Sequence, residues 1–527
     1  MTFTWNFPYP SRRMPVLARN AVATSQPLAA QAGLRMLLAG GNAVDAALAA
    51  AIALTVVEPT SNGIGSDAFA ILWDGSALHG LNSSGRAPQA WSPQRFTGMS
   101  AMPALGWDTV TVPGAVAAWA ALSERFGKLP FAELFQPAIA YARSGFPVSP
   151  ITARRWRQAH ALYPQLAEIN RTFFPAGRAP QSGDVFRCPD QADTLAEIAD
   201  SRGESFYRGP LARRMAACAA AEGGALTLDD LARHSADWVE PLAVDYRGVT
   251  LHEIPPNGQG IAALIALGIL RHFDLGRFPV DSVDSVHLQI EAMKSAFTDV
   301  FQHVADIDHM RLPPGDLLRA DALATRAAAI RMDHAAAPTG ESPSGGGTVF
   351  LTAADESGMM VSFIQSNYIG FGSGVVVPGT GIALQNRGRG FVLKDGHPNR
   401  VAGGKRPFHT IIPGFVTRDG RPLMSFGVMG AHMQPQGHVQ MMTRIFDYGQ
   451  NPQAACDAPR WHVSADGSVQ LEAGFAPAVA EGLCRRGHSV TTDAPESLFG
   501  GGQLIWRLAD GYAAASDRRK DGQAVGF

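Results

Sequence analysis

Apolar side chains recur three and four residues apart over Val283–Val304, the spacing of one buried helical face. Near the start, Asn20–Thr24 reads as a short strand and Pro27–Ala39 as a helix stopped by Gly40-Gly41. Asn42 stands where an N-cap belongs, and its helix runs to about Val57, ahead of Glu58-Pro59. A glycine-containing turn, Asn62-Gly-Ile-Gly-Ser66, leads into a strand near Ala68–Trp73. Residues 114–235 read mostly as helix punctuated by Pro and Gly. The pattern changes at Ala335–Gly347, where no spacing could bury a face, and this predicts an exposed, flexible linker. Directly after it, Thr348–Ala354 and Met359–Gln365 flank Asp355-Glu-Ser-Gly358, which predicts a β-hairpin.

A flexible linker running into a core strand is a natural place for a cut, and a linker between two domains has the same appearance. The 527 residues, 46% hydrophobic, suffice for one large core or several smaller ones. A formal net charge of −2 gives no general attraction to nucleic acid. The longest apolar run, Ala43–Val57, contains Asp45 and falls short of the about 20 residues that cross a membrane, so it reads as a buried helix. The start lacks the basic and apolar pattern of a signal peptide, and the expected location is the cytoplasm. Cys188, Cys218, Cys456 and Cys484 form no CxxC pair, which argues against a zinc ribbon and suits a reducing compartment, while leaving two disulfides open.

The junction between linker and hairpin carries the chemistry. An internal threonine has nothing to take its proton. An N-terminal one carries its own base, an α-amine with an ordinary pKa of about 8. Attack by the Thr348 hydroxyl on the Gly347 carbonyl gives an ester that water hydrolyses, and the three glycines before Thr348 let the backbone reach that geometry. Gly-Gly-Gly-Thr is also an ordinary loop entering a strand. Two turns after strands, Phe371-Gly-Ser-Gly374 and Ser425-Phe-Gly-Val-Met-Gly-Ala431, could aim backbone N–H groups at a developing oxyanion. Gly63-Ile-Gly65 and Gly258-Gln-Gly260 read as ordinary turns rather than phosphate loops. His409, His432 and His438 lack metal-ligand spacing and read as structural; no metal or cofactor is expected.

An ordered set of segments resembles the γ-glutamyltransferase family of N-terminal-nucleophile hydrolases over nearly the whole chain. These are Gly40-Gly-Asn-Ala-Val-Asp-Ala46, Val57-Glu-Pro-Thr-Ser-Asn-Gly-Ile-Gly65, Val112-Pro-Gly114, Pro255-Pro-Asn-Gly258, Glu291-Ala-Met-Lys-Ser-Ala-Phe297, Gly347-Thr348 at the processing site, and Ala515-Ser-Asp-Arg-Arg-Lys-Asp-Gly522. The resemblance implies an α+β, four-layer αββα sandwich built jointly by a large subunit (1–347) and a small one (348–527) cut from one precursor. It leaves a dimer of such αβ units open. It also implies Thr348 as nucleophile, with Gly430 and Ala431 as the oxyanion pair.

The substrate residues depart from the glutamyl-transferring pattern. Ser84-Gly-Arg86-Ala-Pro88 stands where the family places its carboxylate-binding Arg segment, so Ser84 replaces that Arg and Arg86 follows two residues on. Asn386-Arg-Gly-Arg-Gly-Phe391 puts Gly390 at the amine-binding acid and Arg387 at a Gln, and His409-Thr410 replaces a Ser-Ser pair. The resemblance therefore implies a small anionic amide without an ammonium group, held by Arg86 first, then Arg387 and His409, with Thr410 and Ser366 completing the set. Within this family, amidohydrolysis of oxamate to oxalate and ammonia fits best. A glutamyl-peptide hydrolase or acylase with rewired contacts, and an unprocessed relative serving as a binding or scaffold protein, are the alternatives.

Overall fold

The structure is a computed structural model and describes residues 12–163, 166–336 and 347–527. Fourteen strands build two seven-stranded sheets. In chain order they are β1 (Val16–Ala18), β2 (Ala21–Thr24), β3 (Asp67–Trp73), β4 (Leu78–Ser83), β5 (Asp237–Val239), β6 (Leu242–Tyr246), β7 (Val249–Glu253), β8 (Gly347–Ala354), β9 (Met360–Tyr368), β10 (Gly414–Arg418), β11 (Arg421–Met429), β12 (Gly501–Arg507), β13 (Tyr512–Ser516) and β14 (Gln523–Gly526). One sheet runs β1-β13-β12-β11-β10-β7-β6 and the other β14-β2-β8-β9-β3-β4-β5.

The alternation of side chains along β8 explains the layering. Val349, Leu351 and Ala353 point to one face and join a buried cluster with helices α1 (Pro27–Leu38) and α2 (Ala43–Val57). Phe350 and Ala354 point to the other face and meet Phe415, Met429 and Ile505 of the second sheet. Beyond that sheet, Val416, Phe426 and Val428 pack under α3 (Ile261–Leu270), α4 (Val283–His303) and α5 (Met433–Phe446). The result is helix, sheet, sheet, helix, the αββα order the resemblance implied. Each large side chain buried this way contributes about 1.5–3 kcal/mol. At Gly427 an added Cβ would lie 2.5 Å from the Phe350 ring, so the close approach of the sheets there requires glycine.

The predicted elements recur with small shifts. Every residue of α2 is buried, and Asn42 caps it in a reciprocal box with Asp45. The Asp355 carboxylate in the hairpin turn accepts from Ala43 N–H at 2.7 Å, tying the turn to the helix start. The hairpin exists, and its second strand reaches Tyr368 rather than Gln365. The linker is bounded differently from the sequence expectation. Residues 337–346 lie outside the described residues, but Gly347 is already strand, and Ala335 and Ala336 donate to Arg486 O at 2.7 Å and the Glu291 carboxylate at 2.8 Å. Both sheets contain strands from before and after Gly347, and β8 is flanked by β2 and β9.

Candidate active site

Thr348 is 2% exposed, near the start of β8, where the ladder to β9 is irregular. Gly347 faces Tyr368 and Val349 faces Gln365, so Ser366 and Asn367 together oppose Thr348. Such a bulge re-aims side chains and often sits beside reactive groups. Here it turns the Ser366 hydroxyl onto the Gly347 carbonyl, to which it donates at 2.5 Å while accepting from Tyr368 N–H at 2.8 Å. Thr348 Oγ1 lies 3.5 Å from Ser366 Oγ and accepts from Gln434 Nε2 at 3.3 Å. Gln434 is fixed in turn by Ile412 N–H, which donates to its Oε1 at 2.9 Å. The carbonyl before Thr348 is thus polarised and its hydroxyl is held within one small network. We expect Ser366→Ala to slow cleavage at this bond on the order of 10²-fold, as loss of an oxyanion donor does. A denaturing-gel time course from freshly made precursor measures it, and an unchanged rate removes Ser366 from the reaction.

Gly430 and Ala431 follow β11 with φ of 118° and 49°, both in the left-handed region. Their carbonyls accept from Met433 and Gln434 N–H as α5 begins. Their own N–H groups have no hydrogen bond among the described residues, and both residues line the large cavity just ahead of the helix. Gln259, between the glycines of Gly258-Gln-Gly260, donates to the carbonyls of Thr410 and Ala431 at 2.6 and 2.9 Å and bonds His432 Nδ1 at 2.9 Å. That turn therefore braces the oxyanion turn, a role the sequence did not suggest. The other expected oxyanion turn, Phe371–Gly374, is a correction: the Gly372 and Ser373 N–H groups already donate to Ile369 O at 2.7 Å and Leu384 O at 2.8 Å.

The cationic residues separate into two places. Arg86 pairs with Asp306 at 3.0 Å, donates to Gly404 O at 3.1 Å, and lines a cavity of 80 Å³ with Asp230, Asp237 and Arg406, apart from the cavity that Gly347 lines. The sequence ranked it first as the carboxylate clamp, but its charge is already matched. Arg387 is 1% exposed; its Nη1 donates to Thr410 Oγ1 at 2.7 Å, its guanidinium lies 4.8 Å from the centre of the Tyr368 ring, and its Nε and Nη2 have no partner. Burial pushes its pKa down to about 10, opposed by nearby Asp67, so it stays charged at neutral pH. It lines a pocket of 50 Å³ with Tyr368, Gly390, Thr410 and His432, and none of the residues lining that pocket is acidic. A Cβ at Gly390 would meet Phe408 O at 2.4 Å, so the position that could carry an amine-binding acid has no room for one.

His409 turns away from this pocket. It is fully buried, 3.1 Å from Asp67, and its other nitrogen accepts weakly from Ile411 N–H at 3.4 Å. Burial and the neighbouring Arg387 and Arg406 push its pKa well below the usual value, while burial raises Asp67 to about 7. His409 is therefore a neutral donor to Asp67, which braces Gly85 and Gly114 N–H. His438 is spent on Glu253 at 2.5 Å.

Gly347, Gly430 and Ala431 line one cavity of 630 Å³, whose walls include Thr60, Ser61, Arg155, Lys294, Phe297 and Phe301. Phe301 and His432 also line the Arg387 pocket, so the two spaces share these two side chains as a common wall. A family model described as gamma-glutamyltranspeptidase matches residues 29–527. The chain belongs to the gamma-glutamyltranspeptidase family. Among its relatives, the oxamate amidohydrolase proenzyme of Klebsiella pneumoniae is 36% identical, covering 95% of this chain and 97% of that protein. The glutathione hydrolase-like YwrD proenzyme of Bacillus subtilis is 35% identical, covering 97% and 98%. A cephalosporin acylase structure from Bacillus halodurans superposes with a TM-score of 0.96 at 50% identity, covering 100% and 99%. Like these gamma-glutamyltranspeptidase relatives, the chain is an Ntn-type hydrolase of amide bonds.

Among the described residues, His287, Glu291 and His488 come close enough to share a metal ion. They are already linked to one another, to Arg331 O and to Lys294, which gives the cluster a full set of partners without one. The residues that sequence reasoning missed are Gln434, Gln259, Asp67 and Tyr368.

Proposed function

We propose that the chain cuts itself between Gly347 and Thr348 into pieces of residues 1–347 and 348–527, and then hydrolyses amides whose acyl group carries a carboxylate. Thr348 Oγ1 attacks the Gly347 carbonyl carbon while Ser366 donates to its oxygen. The C–N bond breaks, the hydroxyl proton passes to the departing nitrogen, and water hydrolyses the resulting ester. The freed α-amine then serves as base for Thr348 Oγ1 toward an external amide. The N–H groups of Gly430 and Ala431 face the carbonyl oxygen as it gains charge. Each sheet is built of strands from both pieces, which keeps the pieces together.

The observation that carries the substrate class is Arg387: buried, charged, with two unpartnered donors in a pocket free of acids. A carboxylate satisfies such a guanidinium in a bidentate way, and an ammonium finds no acceptor charge there. Oxamate is the smallest amide of this class, and the likeness to an oxamate amidohydrolase supports it. The 630 Å³ cavity favours a second reading, an acylase whose released amine is far larger than ammonia, as the likeness to a cephalosporin acylase also suggests. The four cysteines are unpaired, which fits a reducing, cytoplasmic setting. The test is amine release by the mature protein from oxamate, glutaryl anilide, glutathione and butyryl anilide. Turnover of glutathione above both anionic amides would overturn the reading.

A further inference from the structure

We propose that the large cavity holds the amine half of the substrate and that Arg155 reads a carboxylate on it, so that the released amine is itself an anion of the amino-acid or aminobenzoate kind. This rests on the proposed function for its placement. With the carbonyl oxygen at the Gly430 and Ala431 N–H groups and the acyl carboxylate at Arg387, the remaining substituent is left the cavity that Gly347, Gly430 and Ala431 themselves line. That space, at 630 Å³, lies within the range of pockets for drug-sized ligands, and ammonia leaves almost all of it unused.

Its charges are the deciding feature. The Nε of Arg155 is buried without a hydrogen-bond partner, and the acids whose charge reaches its guanidinium are Glu58, Asp521 and Glu496. The acids around it are committed elsewhere. Glu58 is held by Lys520 at 2.9 Å and Ser25 at 2.5 Å; Asp521 accepts from Ser149, Ile151 and Thr152; Glu496 is paired with Arg518 at 2.6 Å. Lys294, the other cation of the wall, is bound to Glu291 at 3.1 Å and to His488 at 3.2 Å. Asp466, the one acid of the lining, is occupied by Ser468. Arg155 thus stands without a hydrogen-bonding partner in a mixed wall, where Leu162, Phe297 and Leu498 offer apolar surface beside polar side chains and the committed Lys294 and Asp466, which suits a ring or hydrocarbon ending in a carboxylate.

The experiment uses the mature protein with glutaryl amides of aniline and 4-aminobenzoate, and the two free amines in calorimetry. We expect the aminobenzoate amide to show about tenfold higher kcat/KM than the anilide, and free 4-aminobenzoate to bind more tightly than aniline. Arg155→Gln collapses both ratios toward one, and Arg155→Lys, keeping the charge without the fork, restores part of them. Equal binding of the two amines, or a ratio untouched in Arg155→Gln, overturns the proposal. Calorimetry needs no acyl group. A preference for aminobenzoate that vanishes in Arg155→Gln, with neither glutaryl amide turned over, leaves the amine pocket standing and removes only the acyl-side reading.

Discussion

Thr348→Ala gives one uncut chain of 527 residues with no amidohydrolase activity, whereas the wild-type protein separates into two pieces on a denaturing gel. The side chain is asked to do two things in turn. In the precursor its hydroxyl, held by Gln434 at 3.3 Å, attacks a carbonyl already polarised by Ser366 at 2.5 Å. In the product it needs the α-amine that the cut sets free, because no described histidine or carboxylate bonds to Thr348 Oγ1. Alanine removes the nucleophile of the first step and so never creates the base of the second. Loss of a nucleophile in such a unit costs on the order of 10⁶ in turnover, which here reads as no activity. Thr348→Ser keeps the hydroxyl and cuts itself, which separates loss of chemistry from loss of folding. Edman sequencing of the smaller piece should begin at Thr348; a different first residue, or a split Thr348→Ala chain, would falsify this assignment.

What could be read beforehand was local. The cap at Asn42, the stop at Gly40-Gly41 and the hairpin around Asp355–Gly358 follow from side-chain chemistry within a few residues, and the structure has each of them. The αββα order came through the resemblance, since alternation along β8 tells which residues share a face but not what covers it. The pairing of residues far apart in the chain was not legible. Arg86 and Arg387 look alike as isolated arginines near glycine and proline. Their difference lies in Asp306, 220 positions from Arg86, which bonds that guanidinium directly, whereas Nε and Nη2 of Arg387 have no partner. His409 shows the same limit: it is drawn into the core by Asp67, 342 positions away. Gln259 was invisible because a glutamine between two glycines looks like a surface turn, while here it is fully buried under the oxyanion turn.

Arg387→Ala lowers kcat/KM for a carboxylate-bearing amide by about 10²-fold or more and reduces that for an uncharged acyl amide far less. Two donors, Nε and Nη2, stand unpartnered in a pocket of 50 Å³, and each charged hydrogen bond lost costs about 1.5–3 kcal/mol. The effect is large because the guanidinium is buried, 1% exposed, in a small pocket walled by Tyr368 and Thr410, so its loss leaves a bound carboxylate without a charged donor there. Arg387→Lys recovers only part of the loss, since an ammonium cannot offer two parallel donors as the guanidinium does from its place 4.8 Å over the Tyr368 ring. An uncharged butyryl amide never used the clamp, so the ratio of glutaryl to butyryl turnover should fall in the order wild type, Lys, Ala. Arg86→Ala is the contrast. Its guanidinium is bound to Asp306 and lines another cavity, so any loss there should be shared equally by the two substrates and leave the ratio where it was. A glutaryl-to-butyryl ratio that survives in Arg387→Ala but collapses in Arg86→Ala would return the carboxylate to the segment that the sequence favoured.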